Sequence, residues 1–211
     1  MMRKPPQNRL PEFIAQPRRG LWRLAAPMMA GMSLHTIYLI VDFFFIGTIS
    51  DDAVAAITLV GPLFFVMIAL LNGMATAFTA LVAQALGRQD EAEASRVASG
   101  SFGFSVLLGL AFLAMGGLGG QGILRLAGAS GVVLDLAWAY FQILVFTVPL
   151  FFVSGALRSV LTGAGDAITP MVIMGIATVI NLGLDWLFIL GFGWGIAGAA
   201  WATAIANAIS L

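Results

Sequence analysis

The sequence predicts an all-α membrane protein, a bundle of six transmembrane helices, and three observations lead there. Hydrophobic residues make up 60% of the 211 positions and charged ones 9%, with a mean hydropathy of +1.00; soluble domains carry about 25% charged residues. The apolar residues gather into runs of the length a bilayer needs, about 20 residues at 1.5 Å rise across roughly 30 Å of hydrocarbon. The basic residues fall almost entirely on alternate connections between those runs.

The spans follow in order. The first covers about Leu21 to Ile46, and a long second one covers about Val54 to Leu86. The third runs from about Val97 to Leu118, the fourth from about Ala137 to Leu161 and the fifth from about Ile168 to Leu190. The sixth begins near Gly195 and reaches the last residue, Leu211, with no polar or basic anchor. Its length, about 25 Å, marks it as cut short, so the chain is expected to be the front part of a longer transporter. Polar or Gly-rich breaks separate the spans: SDD at 50–52, GRQDEAEASR at 87–96, GAGD at 163–166 and GFGWG at 191–195. The mixed stretch 119–136, with Arg125 and Asp135 among aliphatic residues, reads as a short amphipathic helix on the membrane surface.

With the N-terminus in the cytoplasm, Arg3, Lys4, Arg9, Arg18, Arg19, Arg23, Arg88, Arg96 and Arg158 lie inside and Arg125 alone lies outside. That is a strong positive-inside bias. Residues 1–20 are polar and Pro-rich, without the apolar core and small-residue cleavage site of a signal peptide; they are read as a cytoplasmic tail, and 21–211 as the transmembrane bundle. Ten basic against ten acidic residues favour no nucleic-acid partner. The absence of cysteine excludes disulfides and thiolate chemistry.

The informative residues are polar ones inside the spans. An Asp at the centre of a membrane helix costs about 2.5–3.5 kcal/mol on insertion scales, so it persists where it is paired, faces a cavity or works. Asp42 stands in HTIYLIVDFFFIG and Asp185 in NLGLDWLFIL. Both fall about 8 Å inside the outer end of their spans, at 1.5 Å per residue. Each closes a stripe stepping by three and then four: His35, Tyr38, Asp42 in the first span, and Thr178, Asn181, Asp185 in the fifth. Such steps place side chains on one helix face. Two stripes facing each other would line a polar cavity. Taken singly, Thr178, Asn181, Thr203 or His35 is explained as interhelical hydrogen bonding or packing; two acids at equal depth are not. A carboxylate out of water is neutralised by a proton or by a cation with oxygen ligands, so H⁺ and Na⁺ both suit this pair. Pro27 removes a backbone hydrogen bond from the first span and can kink it.

Several segments in this order resemble the multidrug and toxic compound extrusion (MATE) transporters. They are TIYLIVDFFFIGTISDDAVAAITLVGP, the loop GRQDEAEASR, ALRSVLTGAGDAITPM and NLGLDWLFILGFGWGIAGAAWATAIA. The resemblance implies the N-terminal six-helix lobe of a twelve-helix transporter, closest in pattern to the DinF-like branch. The missing C-terminal lobe, or a second copy of the chain, would then be a partner. It also implies an ion-coupling site of Asp42, Asp185, Asn181, Thr203, Tyr140 and Tyr38, of which Asp42, Asn181, Asp185 and Thr203 would ligate Na⁺ if Na⁺ is the coupling ion. His35, Ser154, Met174 and Thr178 would contact substrate, and Pro27 would be the helix kink. The implied activity is efflux of amphipathic, often cationic drugs or toxins by H⁺- or Na⁺-coupled antiport across the cell membrane. No further cofactor is implied, lipid is the surrounding partner, and the protein is not an enzyme. Two alternatives accompany this reading. One is a lipid-linked oligosaccharide flippase of the same superfamily. The other is an intramembrane aspartyl protease, for which Asp166 in GAGD would be needed.

Overall fold

The computed structural model describes residues 17–211. Within the first helix it describes the whole backbone but only part of the side chains; those of Pro27, His35, Tyr38 and Asp42 lie outside the described set. Among the described residues six α-helices follow one another: α1 Pro17–Gly47, α2 Asp51–Gly87, α3 Glu91–Leu126, α4 Gly131–Gly163, α5 Ile168–Asp185 and α6 Gly195–Ile209. A π-helical turn, Trp186–Gly191, continues α5. Among the described residues, four helices are long and apolar enough to cross a membrane: α2, α3, α4 and α5 with its π-helical turn; α6 is apolar but shorter.

The ends of these helices are written in local chemistry. Ser50 caps α2, its side chain accepting from Ala53 N, and Asp51 and Asp52 follow in the first turn, where the positive end of the helix dipole favours them. Asp90 does the same for α3 through Glu93 N at 2.8 Å, and Arg125 occupies the last turn of that helix. The GAGD turn uses Gly165 at φ +86°. Asp166 Oδ1 accepts from the N–H groups of Ile168 and Thr169, and its Oδ2 accepts from Thr169 Oγ1 at 2.6 Å. This acid therefore opens α5, which is the turn chemistry expected of Asp before a helix.

One expectation is corrected. Residues 119–136 form no separate surface helix: 119–126 complete α3 and 131–136 begin α4. The break between them turns on Gly128 and Gly131, both with positive φ. Arg125 and Asp135 mark helix ends in this arrangement, where charge is compatible with a spanning helix. α3 thus extends over 36 residues and α2 over 37, about 55 Å each, so both project beyond the hydrocarbon. Residues 17–20, expected as the end of the tail, already belong to α1.

α4 is the central post, packed against α3, α2 and α6, while α1 packs chiefly on α5. The α3–α4 seam depends on missing side chains. A Cβ on Gly109 would lie 2.5 Å from Pro149 Cα, one on Gly116 2.8 Å from Val145, and one on Gly120 2.6 Å from Phe141. Small residues let membrane helices approach closely, which is where their packing energy comes from. The larger buried cluster joins Ile46, Val60, Leu124, Phe141, Leu144, Ile189, Ile196 and Ala199 at the end of the bundle that holds the 47–51, 126–131 and 191–195 connections. A second cluster, Met67, Met74, Val148 and Phe152, lies further along α2 and α4. Outward faces carry exposed Phe43, Phe65, Leu107, Leu118 and Phe146, as a lipid-facing surface requires.

Candidate functional site

The site is built from the second half of α5 and the middle of α6. Asp185 and Asn181 are fully buried, and Thr178 and Thr203 nearly so. The i, i+4 spacing of Asn181 and Asp185 brings their side chains together on one face of α5. With its amide nitrogen turned to the acid, Asn181 donates to Asp185 Oδ2 at 2.9 Å, and its oxygen accepts from the backbone N–H of Thr203 at 3.2 Å. One amide thus ties the carboxylate of α5 to the backbone of α6. Tyr140 is buried on α4, in the cluster that also contains Ile196, Ala199 and Ala200 of α6, one turn from Thr203.

Helix register supplies the rest. α1 and α5 run in the same direction, and a Cβ on Gly31 would sit 3.8 Å from Met174 Sδ. Further along the same pair, Ile46 and Ile189 share one buried cluster. The Gly31–Met174 approach gives an offset of 143 residues between the helices, with which the shared cluster of Ile46 and Ile189 agrees, and that offset puts the backbone of residue 42 level with Asp185. Residues 38 and 35 fall level with Asn181 and Thr178. The side chains of Asp42, Tyr38, His35 and Pro27 are outside the described residues, so the structure positions those four by backbone alone.

Immediately past Asp185 the chain leaves α-helical geometry. Phe192 N–H reaches back to Leu187 O at 2.8 Å, and Trp194 N–H bonds to Phe188 O at 2.9 Å. Phe188 and Trp194 stack with centroids 4.9 Å apart, and Phe192 lies 5.5 Å from Trp194. The π-helical turn and this aromatic trio, of which Phe188 alone is buried, lie just beyond the acid. π-helical turns often accompany functional sites.

The structure does not bring every expected residue to this group. Ser154 is buried but lies 14 residues along α4 from Tyr140, about 21 Å away along the axis, and its hydroxyl donates to Leu150 O. Met174 sits 11 residues, about 16 Å, from Asp185 and faces α1 at Gly31. Asn207 of α6 is a buried polar residue beside this group that sequence reasoning missed. Its signal was available, since it stands four residues after Thr203 and so on the same helix face.

A family model, MatE, matches residues 27–187. Among curated proteins the chain is similar to a probable multidrug resistance protein, YoeA, of Bacillus subtilis, at 32% identity over 89% of this chain and 42% of that protein. It is also similar to the multidrug export protein MepA of Staphylococcus saprophyticus, at 30% identity over 91% of this chain and 43% of the relative. The chain thus spans less than half the length of the curated relatives it matches. Among solved structures it resembles a MOP superfamily transporter from Pyrococcus furiosus, at 28% identity and a TM-score of 0.92 over 99% of this chain and 46% of that one. An outward-facing multidrug resistance MATE transporter matches at 30% identity and a TM-score of 0.89, over 92% of this chain and 43% of that one. A shared helix order, a matching backbone and a family model that covers most of the spans agree: this chain belongs to the MatE family.

Proposed function

We propose that these residues form the ion-coupling N-terminal lobe of a multidrug efflux antiporter of the DinF-like branch. It would sit in the cell membrane with its N-terminus in the cytoplasm and work with a second lobe. The single observation that carries the reading is the fully buried Asp185, bonded to Asn181 and through it to Thr203, at the level of residue 42 on α1. A buried carboxylate is costly as an isolated anion and is stabilised by a proton or a bound cation. Filling and emptying the site therefore changes what the surrounding helices must accommodate. Asp42, Asn181, Thr203, Tyr140 and Tyr38 complete the coupling site, with H⁺ or Na⁺ as the ion. His35, Ser154, Met174 and Thr178 face the exported compound, and Pro27 lets α1 bend.

Similarity to proteins described as multidrug export and multidrug resistance proteins supports amphipathic drugs as cargo. Ion and cargo must favour different conformations, because a ligand shifts an equilibrium only by its differential affinity for the two states. The test is gradient-driven efflux by the intact protein in proteoliposomes, with a pH jump and a Na⁺ jump as separate arms. Asp185→Asn keeps the shape and the hydrogen bond to Asn181 while removing the charge. It should abolish gradient-driven export in one of the two arms. Export that remains equally ion-dependent in both Asp185→Asn and Asp42→Asn would defeat the proposal.

A further inference from the structure

The inference concerns Asn207, which is 8% exposed. Ser210 Oγ donates to Asn207 O at 2.7 Å and stands 3.4 Å from Asn207 Oδ1. The amide nitrogen, Nδ2, has no hydrogen-bond partner. A buried donor left unpaired costs about 1–3 kcal/mol, so an amide kept here calls for an acceptor that arrives from elsewhere.

The position says what kind. Asn207 lies one turn from Thr203 on the same face of α6, about 6 Å further from the 191–195 turn. Asn181 ties Thr203 to the Asp185 carboxylate. On the antiparallel α5, Thr178 is buried at the corresponding depth, three residues beyond Asn181. The polar face therefore continues past the acid with neutral groups only, an amide from α6 and a hydroxyl from α5.

We infer that Asn207 Nδ2 is a specificity-determining donor that takes a neutral oxygen acceptor, a ketone or amide carbonyl, on an exported compound whose positive centre lies toward Asp185. This rests on the proposed reading of Asp185 as the charged end of the site. By this register Asp185 and Asn207 stand eight residues apart along the helix pair, about 12 Å of axial rise, so the site selects compounds whose cation and carbonyl, with their two contacts, span that distance. Neither end alone distinguishes one lipophilic cation from another.

A matched pair of probes isolates the contact: (4-benzoylbenzyl)triphenylphosphonium and (4-benzylbenzyl)triphenylphosphonium differ only by a carbonyl in place of a methylene. Their dissociation constants are measured on the intact protein in lipid nanodiscs. The ketone should bind about tenfold more tightly, the worth of one buried hydrogen bond, and Asn207→Leu should bring the ratio to about one. A wild-type ratio near one, as expected if an ordered water already occupies the amide, overturns the inference. So does a preference that survives in Asn207→Leu. Should that variant fold poorly, Asn207→Ala is judged by the same ratio. Failure of the coupling proposal shows separately, as ion-dependent export that persists in Asp185→Asn.

Discussion

Asp185 and Asn181 show how much one residue pair can carry. In the sequence they are two polar letters four apart inside an apolar run, and helical spacing already joined them to Thr178 on one face. What spacing could not supply was the second helix: the bond from Thr203 N–H to the Asn181 amide crosses from α6 to α5 and exists only once the two pack. Asn181→Ala removes both bonds of this amide and leaves Asp185 Oδ2 without that donor. It should lower stability by about 1–3 kcal/mol, read as a lower midpoint in thermal unfolding of the detergent-solubilised protein. Asn181→Asp would set two carboxylates against each other and should lose more stability, with part regained when the ion that the site takes is added in excess. Equal midpoints with and without that ion would speak against ion binding here. In the sequence Asn207 is marked only by its four-residue step from Thr203, between Ala206 and Ala208; its burial and its unpaired Nδ2 single it out in the structure.

At the scale of elements, the helices were legible from apolar run length, yet their ends were not. α3 and α4 each extend several residues past the runs that announced them, because the polar residues at their ends cap and complement the helices and need not break them. The close seam between these two helices was also hidden, since glycine in a membrane span reads equally as looseness or as proximity. The contacts decide for proximity at Gly109, where an added Cβ would come within 2.5 Å of the Pro149 backbone. Gly109→Ala should therefore force the helices apart and cost about 1–3 kcal/mol. Gly103→Ala on the same helix, whose Cβ would meet nothing within 4 Å, should be neutral or slightly stabilising, by up to about 1 kcal/mol. Unfolding midpoints of the two variants measured side by side check the contrast. The π-helical turn after Asp185 was likewise invisible, as WLFILG continues the apolar pattern without interruption.

For the whole molecule, the alternation of basic residues makes a prediction about sidedness that the chain's lack of cysteine makes easy to measure. Gln89→Cys lies in the connection shared by Arg88 and Arg96, and Ser130→Cys lies in the connection after Arg125. In intact cells a membrane-impermeant maleimide should label the second and spare the first, and label both after the membrane is opened. Labelling of Gln89→Cys in sealed cells would reverse the topology and with it the outward position of the acidic site. The sequence by itself determined that this is an all-helical membrane protein, because hydrophobic run length and charge placement are constraints the bilayer imposes on each segment independently. It also gave the expectation that Asp42 and Asp185 lie at equal depth in the first and fifth spans, since depth is reckoned by counting residues from a helix end. Only the tertiary structure decided that α1 and α5 are neighbours in matching register, and that α6 closes on Asn181. Those are properties of side-chain packing between helices distant in the chain, and no single segment carries that information.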